Sequence, residues 1–69
     1  MSNHVYRLTE VVGSSPTSVD DAIRTAIRQA AEPVRGIEGF ETQEVRGHVE
    51  NGDVAHFQVT LKIGFRVED

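Results

Sequence analysis

Residues 54–67, VAHFQVTLKIGFRV, decide the fold of this chain. From Ala55 to Val67 every odd position is apolar, and from His56 to Arg66 every even position is polar or glycine. Strict alternation over this length is typical of a β-strand that has one face against a core. The other face presents a histidine, a glutamine, a threonine and two cations, and what lies against that face is the functional question.

The size and composition of the chain favour self-association. It has 69 residues, enough for one domain over residues 1–69. A chain this short buries only about 60% of its unfolded surface, and small domains usually need a disulfide, a metal or a partner subunit. There is no cysteine, and the three histidines lack metal-ligand spacing, so we expect neither a disulfide nor a metal site. A second copy of the chain is the expected source of stability.

The length of the strand indicates the same. Fourteen extended residues span roughly 46 Å at about 3.3 Å per residue. A compact chain of this size has a radius of gyration of about 11 Å and a diameter near ~28 Å. The strand therefore bends around the rest of the chain or reaches a neighbour, and both favour an oligomer.

The charge and hydropathy pattern excludes several partners. The formal net charge is −4, and a predominantly acidic surface repels phosphate backbones, so we expect no nucleic-acid partner. There is no apolar run of membrane-spanning length, and the first ten residues do not resemble a signal peptide. We therefore expect no membrane partner and a cytoplasmic location.

A first strand is predicted over residues 4–12, followed by a turn over 13–18. Ser18 is then expected to cap a helix, with Asp21 in an acidic version of the capping box. The alternative is a cap at Ser15, with Pro16 at the first helical position. The helix should end or kink near Glu32, because Pro33 has no backbone N–H to donate. Its apolar stripe consists of Val19, Ala22, Ile23, Ala26, Ile27, Ala30 and Val34. A loose connector is predicted over residues 35–39.

Two further strands, over residues 40–50 and 53–67, flank Asn51-Gly52, which is a strong hairpin signal. A two-residue loop would place the polar Arg46 opposite the apolar Phe57 on one face. We therefore predict a loop of odd length, with Gly52 in the left-handed conformation.

The odd loop divides the hairpin into two faces. Val45 then lies opposite Phe57 or Val59 on the core side, and the other side carries Arg46, His48, His56 and Gln58. The predicted fold class is α+β, with a β-α-β-β order and a three-stranded antiparallel sheet wrapped around one helix. The polar face is either solvated, which is common for antiparallel sheets, or it is a subunit interface that holds a polar ligand.

Four stretches, YRLTEVVGSSPTS, VDDAIRTAI, FETQEVRGHV and AHFQVTLKIGFRVED, cover nearly the whole chain and resemble the dodecins, which are small flavin-binding proteins. The resemblance implies a hollow homododecamer that stores or buffers flavin and is not an enzyme. FMN or riboflavin would bind between subunits, around two-fold axes. Bacterial members can also bind coenzyme A.

The resemblance also assigns site residues. Gln58 matches the glutamine that hydrogen-bonds the edge of the flavin ring. Arg46 and His48 resemble family residues near the ligand and its ribityl or phosphate tail. Arg66 resembles an arginine that meets phosphate-bearing ligands.

One family feature is absent. The stacking tryptophan of the dodecins corresponds to Gly39, and the chain contains no tryptophan. Phe40 is no substitute, because it alternates with Gly39 and should point to the other face. Stacking is worth about 1–3 kcal/mol per ring, so flavin binding should be weaker by roughly 5- to 150-fold. The alternatives are a shell that binds another ligand, such as coenzyme A, and a structural cage without flavin.

Overall fold

The computed structural model describes residues 3–31 and 36–67. Strand β1 spans Val5–Ser15, helix α1 spans Val19–Ala31, strand β2 spans Ile37–Glu50 and strand β3 spans Asp53–Val67. The strands form one sheet in the order β1-β3-β2, and β3 is antiparallel to both neighbours. The predicted β-α-β-β order and three-stranded antiparallel sheet are confirmed. Within these described residues, no helix is long and apolar enough to cross a membrane.

The core lies between α1 and one face of the sheet. Ala22 and Ala26 of the helix are buried against Val59, Leu61 and Ile63 of β3. The remaining described positions of the predicted stripe pack against this cluster, namely Val19, Ile23, Ile27 and Ala30. The stripe is therefore confirmed over α1. Val34 and the predicted helix end near Glu32 and Pro33 lie outside the described residues.

A buried serine joins the end of β1 to the start of α1. The backbone N–H of Asp21 donates to Ser18 Oγ at 3.0 Å, as the predicted cap requires. The Asp21 carboxylate, however, accepts a 2.6 Å bond from Ser15 Oγ. Ser15, only 2% exposed, also accepts the backbone N–H of Thr17 at 2.9 Å. Ser15, which the sequence offered as an alternative cap, thus takes part in the start of α1 together with Ser18 and Asp21.

Two predicted boundaries are wrong. Strand β1 continues to Ser15 instead of ending at residue 12, because Gly13–Ser15 still pair with β3. Strand β2 begins at Ile37, so Gly39 lies within a strand, opposite Gly64, and not in a loose connector. Glycine retains its backbone N–H and C=O, so it can extend a strand whose partner continues alongside.

The predicted odd-length hairpin loop is also wrong. Glu50 pairs with Asp53, which leaves a two-residue loop of Asn51 (φ 54°) and Gly52 (φ 77°). Positive φ at both loop residues is the signature of a type I′ hairpin turn, so the left-handed Gly52 is confirmed. The register changes at Ala55, because Val49 pairs with Val54 whereas His48 pairs with His56.

The bulge at Ala55 produces the face assignment that the sequence attributed to loop length. Beyond it Val45 lies opposite Val59, on the core side. Arg46 lies opposite Gln58 on the other side. The predicted division of the hairpin into two faces is confirmed, although a bulge produces it and not an odd-length loop.

The sheet extends well beyond the helix. A helix of 13 residues is about 20 Å long, whereas the longest dimension of the molecule is 55 Å and its radius of gyration is 14.4 Å. Three core-side valines near the hairpin turn remain exposed: Val45 by 56%, Val49 by 63% and Val54 by 45%. The prediction that the strand is longer than a compact body of this chain length is confirmed.

Gly13 marks the closest approach of α1 to the sheet. A Cβ at this position would lie 2.7 Å from both the Ala22 carbonyl oxygen and the Ala26 Cβ. Gly13→Ala should therefore lower the free energy of unfolding by about 1–3 kcal/mol through overpacking. Urea-induced unfolding at a fixed chain concentration measures this change.

Gly39→Ala is the matched control for that substitution. It also lies in an edge strand, but among the described residues nothing stands within 4 Å of an added Cβ. Its unfolding free energy should change by no more than about 0.5 kcal/mol. Equal losses in the two variants would contradict the close helix–sheet contact at Gly13.

Candidate functional site

The sheet face opposite α1, here called the open face, carries the predicted site residues. On β3 the open face receives the even positions from His56 to Arg66, because Val59, Leu61 and Ile63 point into the core. On β2 it receives Gly39, Arg46 and His48 through their pairing with those positions. The open face consists of these side chains and their neighbours on β1.

Four polar side chains meet in two adjacent rows of the open face. Arg46 pairs with Gln58, and His48 pairs with His56. The two imidazole rings are stacked, with centroids 5.4 Å apart and an interplanar angle of 20°. Opposed side chains of an antiparallel pair have Cβ atoms about 4.5–5.5 Å apart. Arg46, His48 and Gln58 are therefore brought together as predicted, and His56 adjoins them.

Arg46 and His48 have exposed acidic partners. Arg46 Nη2 lies 3.2 Å from Glu44 Oε1, and His48 Nε2 lies 3.3 Å from Glu50 Oε2. Each side chain in these pairs is more than half exposed. Exposed ion pairs contribute at most about 1 kcal/mol. An anionic ligand can therefore compete for the Arg46 guanidinium and for a ring N–H of His48.

The other two predicted residues lie at the opposite end of the sheet. Gly39 lines a shallow groove of about 380 Å³, together with Tyr6, Leu8, Glu38 and Gly64. The phenol of Tyr6 donates to Glu38 Oε1 at 3.3 Å. This groove occupies the place where the resemblance implies a stacking indole.

Arg66 stands beside this groove. Its Nη1 lies 4.0 Å from Glu38 Oε2, and its Nη2 lies 3.4 Å from His4 Nε2. Arg66 pairs with Tyr6 across β1 and β3, two residues along from the row that contains Gly39 and Gly64. Gly39 and Arg66 thus form a second group.

The two groups are too far apart to meet one ring within a single chain. Gln58 and Gly64 are separated by six residues along β3, which corresponds to about 20 Å. A fused three-ring heterocycle is shorter than this distance. The structure therefore divides the five predicted residues into a hairpin group of Arg46, His48 and Gln58 and a groove group of Gly39 and Arg66.

Phe40 points away from both groups. It pairs with the buried Ile63 and lies beside Ile23 and Ile27 of α1. The prediction that Phe40 faces the side opposite to Gly39 is confirmed. Sequence reasoning missed Tyr6, however, because it considered only aromatic residues adjacent to Gly39 in the chain. Alternation along β1 places Tyr6 and Leu8 on one face, but which face they share depends on the pairing of β1 with β3, which the sequence did not determine.

The described histidines and carboxylates do not form a metal centre. In residues 3–31 and 36–67, no three His, Asp or Glu side chains are grouped so that they could hold a metal ion. The stacked histidines therefore add hydrogen-bonding groups to the open face. Their arrangement suits a polar organic ligand.

The fold and the open face define a small α+β ligand-binding protein, and comparison with known proteins identifies the family. The dodecin family model matches residues 5–68. The dodecin of Thermus thermophilus is 37% identical over 65 residues, which are 94% of each chain. This chain belongs to the dodecin family.

Solved structures of Streptomyces dodecins agree closely with the fold. The dodecin from Streptomyces coelicolor is 55% identical, with a TM-score of 0.92 over 100% of this chain and 99% of that chain. The dodecin from Streptomyces davaonensis is 48% identical, with a TM-score of 0.91 over 99% of this chain and 100% of that chain. The β-α-β-β subunit is thus shared along the full length of both relatives.

Variants of the T. thermophilus dodecin provide a spacing that can be compared with this chain. In one solved structure a tryptophan is replaced by phenylalanine, and in two others an arginine is replaced by alanine. The tryptophan precedes the first arginine by seven residues, and the first arginine precedes the second by twenty. Gly39, Arg46 and Arg66 have the same two spacings. That relative has a tryptophan at the spacing where this chain has glycine.

Proposed function

We propose that this chain is a non-enzymatic flavin-binding protein that stores or buffers FMN or riboflavin in the cytoplasm as a hollow homododecamer. The observation that carries the proposal is the hairpin group, in which Arg46 and Gln58 are directly opposed and His48 adjoins them on the open face. Family membership supports the same class of ligand. Binding is weaker than it would be with a tryptophan at residue 39, because glycine contributes no stacking surface of its own.

The chemistry of the hairpin group suits a flavin. The amide of Gln58 both donates and accepts hydrogen bonds, as the edge of a heteroaromatic ring requires. Arg46 is a planar donor that suits a phosphate, and His48 adds a ring N–H donor. All three side chains are accessible, so a ligand can reach them without unfolding the sheet.

The separation of the two groups supports an intersubunit site. Because about 20 Å separates Gln58 from the groove along β3, a ring that meets both must use Gln58 of one copy and Gly39 of another. Exposed valines near the hairpin turn, such as Val45 and Val49, would be covered in such an assembly. The proposed dodecamer supplies both requirements.

Gln58→Ala should weaken riboflavin binding by about 2- to 12-fold, the usual contribution of one hydrogen bond. The oligomer should be unchanged, because Gln58 is exposed outside the helix–sheet core. Fluorescence titration with riboflavin measures the affinity, and gel filtration measures the assembly.

Gln43→Ala is the matched control for Gln58→Ala. Gln43 is the unpaired residue of the bulge between Thr42 and Glu44 of β2. Its replacement by alanine therefore removes the same kind of side chain from outside the hairpin group. The affinity of Gln43→Ala for riboflavin should equal that of the native protein. Saturable binding that is equally strong in both variants would remove Gln58 from the site, and an intact shell without saturable binding would favour the structural cage.

Gly39→Trp should strengthen flavin binding by roughly 5- to 150-fold, because it restores a stacking surface. An added Cβ at Gly39 meets nothing within 4 Å among the described residues, so the first atom of the new side chain causes no clash. The indole should also lower the fluorescence of the bound flavin through electron transfer to the excited ring. Phe40→Trp, on the opposite face, is the control and should leave both affinity and emission unchanged.

A second ligand, coenzyme A, is favoured by the pair of basic side chains beside the groove. Arg66 and His4 approach within 3.4 Å and both are exposed, so a phosphate can contact both. Arg66→Ala should weaken coenzyme A binding by about 2- to 5-fold. Arg7→Ala is the control, because Arg7 lies on the other face of the β1–β3 pair, and it should leave coenzyme A binding unchanged. Isothermal titration of both variants with coenzyme A measures the two affinities. Equal affinities would exclude Arg66 from phosphate binding.

A further inference from the structure

Tyr6 is the aromatic side chain that lines the groove at Gly39. We propose that Tyr6 contacts the ring of the bound flavin there and provides the aromatic surface that residue 39 lacks. This inference rests on the proposed flavin function and assigns the residue that sets ring affinity in the groove.

The position of the phenol is unusual for its strand. Tyr6 belongs to β1 and Glu38 to β2, and β3 lies between them. Two strand spacings amount to about 9.6 Å, yet Tyr6 Oη lies only 3.3 Å from Glu38 Oε1. The side chains of Tyr6 and Glu38 together bridge this gap, so the phenol leans over β3 towards the strand that carries Gly39.

Gly64 allows the phenol to cross. The row beside Tyr6 consists of Leu8, Gly64 and Gly39, and only Leu8 has a side chain beyond Cα. Leu8 leans over β3 as well, because its Cδ2 would lie 3.3 Å from a Cβ on Gly64. Backbone therefore forms the floor of the groove, and Tyr6, Leu8 and Glu38 form its walls.

The groove has room for a planar ring. Among the described residues, nothing stands within 4 Å of a Cβ built on Gly39, and the groove encloses about 380 Å³. Tyr6 is 50% exposed, so its ring is accessible. A flat floor with an aromatic wall and an aliphatic wall suits the face of a fused heteroaromatic ring.

The other phenyl rings of the chain lie on the wrong face. Phe40 pairs with Ile63, Phe57 pairs with Gly47, and Phe65 packs against the buried core. The chain has one tyrosine and no tryptophan. Of these benzenoid side chains, Tyr6 alone is placed on the open face.

The test is a riboflavin titration of Tyr6→Leu and Tyr6→Phe, with the assembly of each checked by gel filtration. Tyr6→Leu should weaken binding by roughly 5- to 150-fold, because the stacking surface is removed. Tyr6→Phe keeps the ring and should stay within about threefold of the native affinity. Phe40→Leu is the matched control, since Phe40 is 51% exposed on the opposite face, and its affinity should not change.

The outcomes separate this inference from the proposed function. Saturable binding that is equally tight in the native protein and Tyr6→Leu would overturn the role of Tyr6 and leave flavin binding intact. An assembled native protein without saturable binding would overturn both. If Tyr6→Leu fails to assemble, the riboflavin titration is repeated with Tyr6→Trp. Tighter binding with weaker fluorescence of the bound flavin would support the contact. An affinity and a fluorescence equal to those of the native protein would overturn it.

Discussion

A helix of thirteen residues cannot cover a sheet whose central strand has fifteen. Helices rise about 1.5 Å per residue and strands about 3.3 Å, so equal numbers of residues give unequal lengths. Helix α1 therefore buries the part of the sheet around Leu61 and leaves Val45, Val49 and Val54 accessible. The described residues leave this apolar surface exposed, so a second copy of the chain can bury it. The intersubunit site that we propose follows from the same mismatch.

The sequence predicts those features that depend on local periodicity. The alternation of 54–67 and the stripe of α1 are repeated often enough to identify one strand and one helix. Strand register depends on residues that are farther apart in the chain. Ala55 continues the apolar series and was counted as a core residue, but the structure places it in a bulge. Because a bulged alanine has no distinctive sequence signal, the correct faces were predicted from an incorrect loop.

The candidate site divides in the same way. Arg46, His48 and Gln58 belong to one hairpin, so pairing around Asn51-Gly52 was enough to bring them together. Tyr6 and Gly39 meet only because β3 pairs with both β1 and β2. The relative register of two strands that are not neighbours is the sum of two independent pairings, and the sequence determined only one of them. Tyr6 was missed for that reason.

The open space around Gly39 bears on how such a protein can evolve. A Cβ at residue 39 would meet nothing within 4 Å among the described residues, so the side chain at this position can change while the backbone pairing with Gly64 is kept. One glycine codon, GGG, differs from the tryptophan codon by a single nucleotide. A lineage can therefore gain or lose an aromatic ring at this position in one mutational step. Selection on ligand chemistry is then separated from selection on folding.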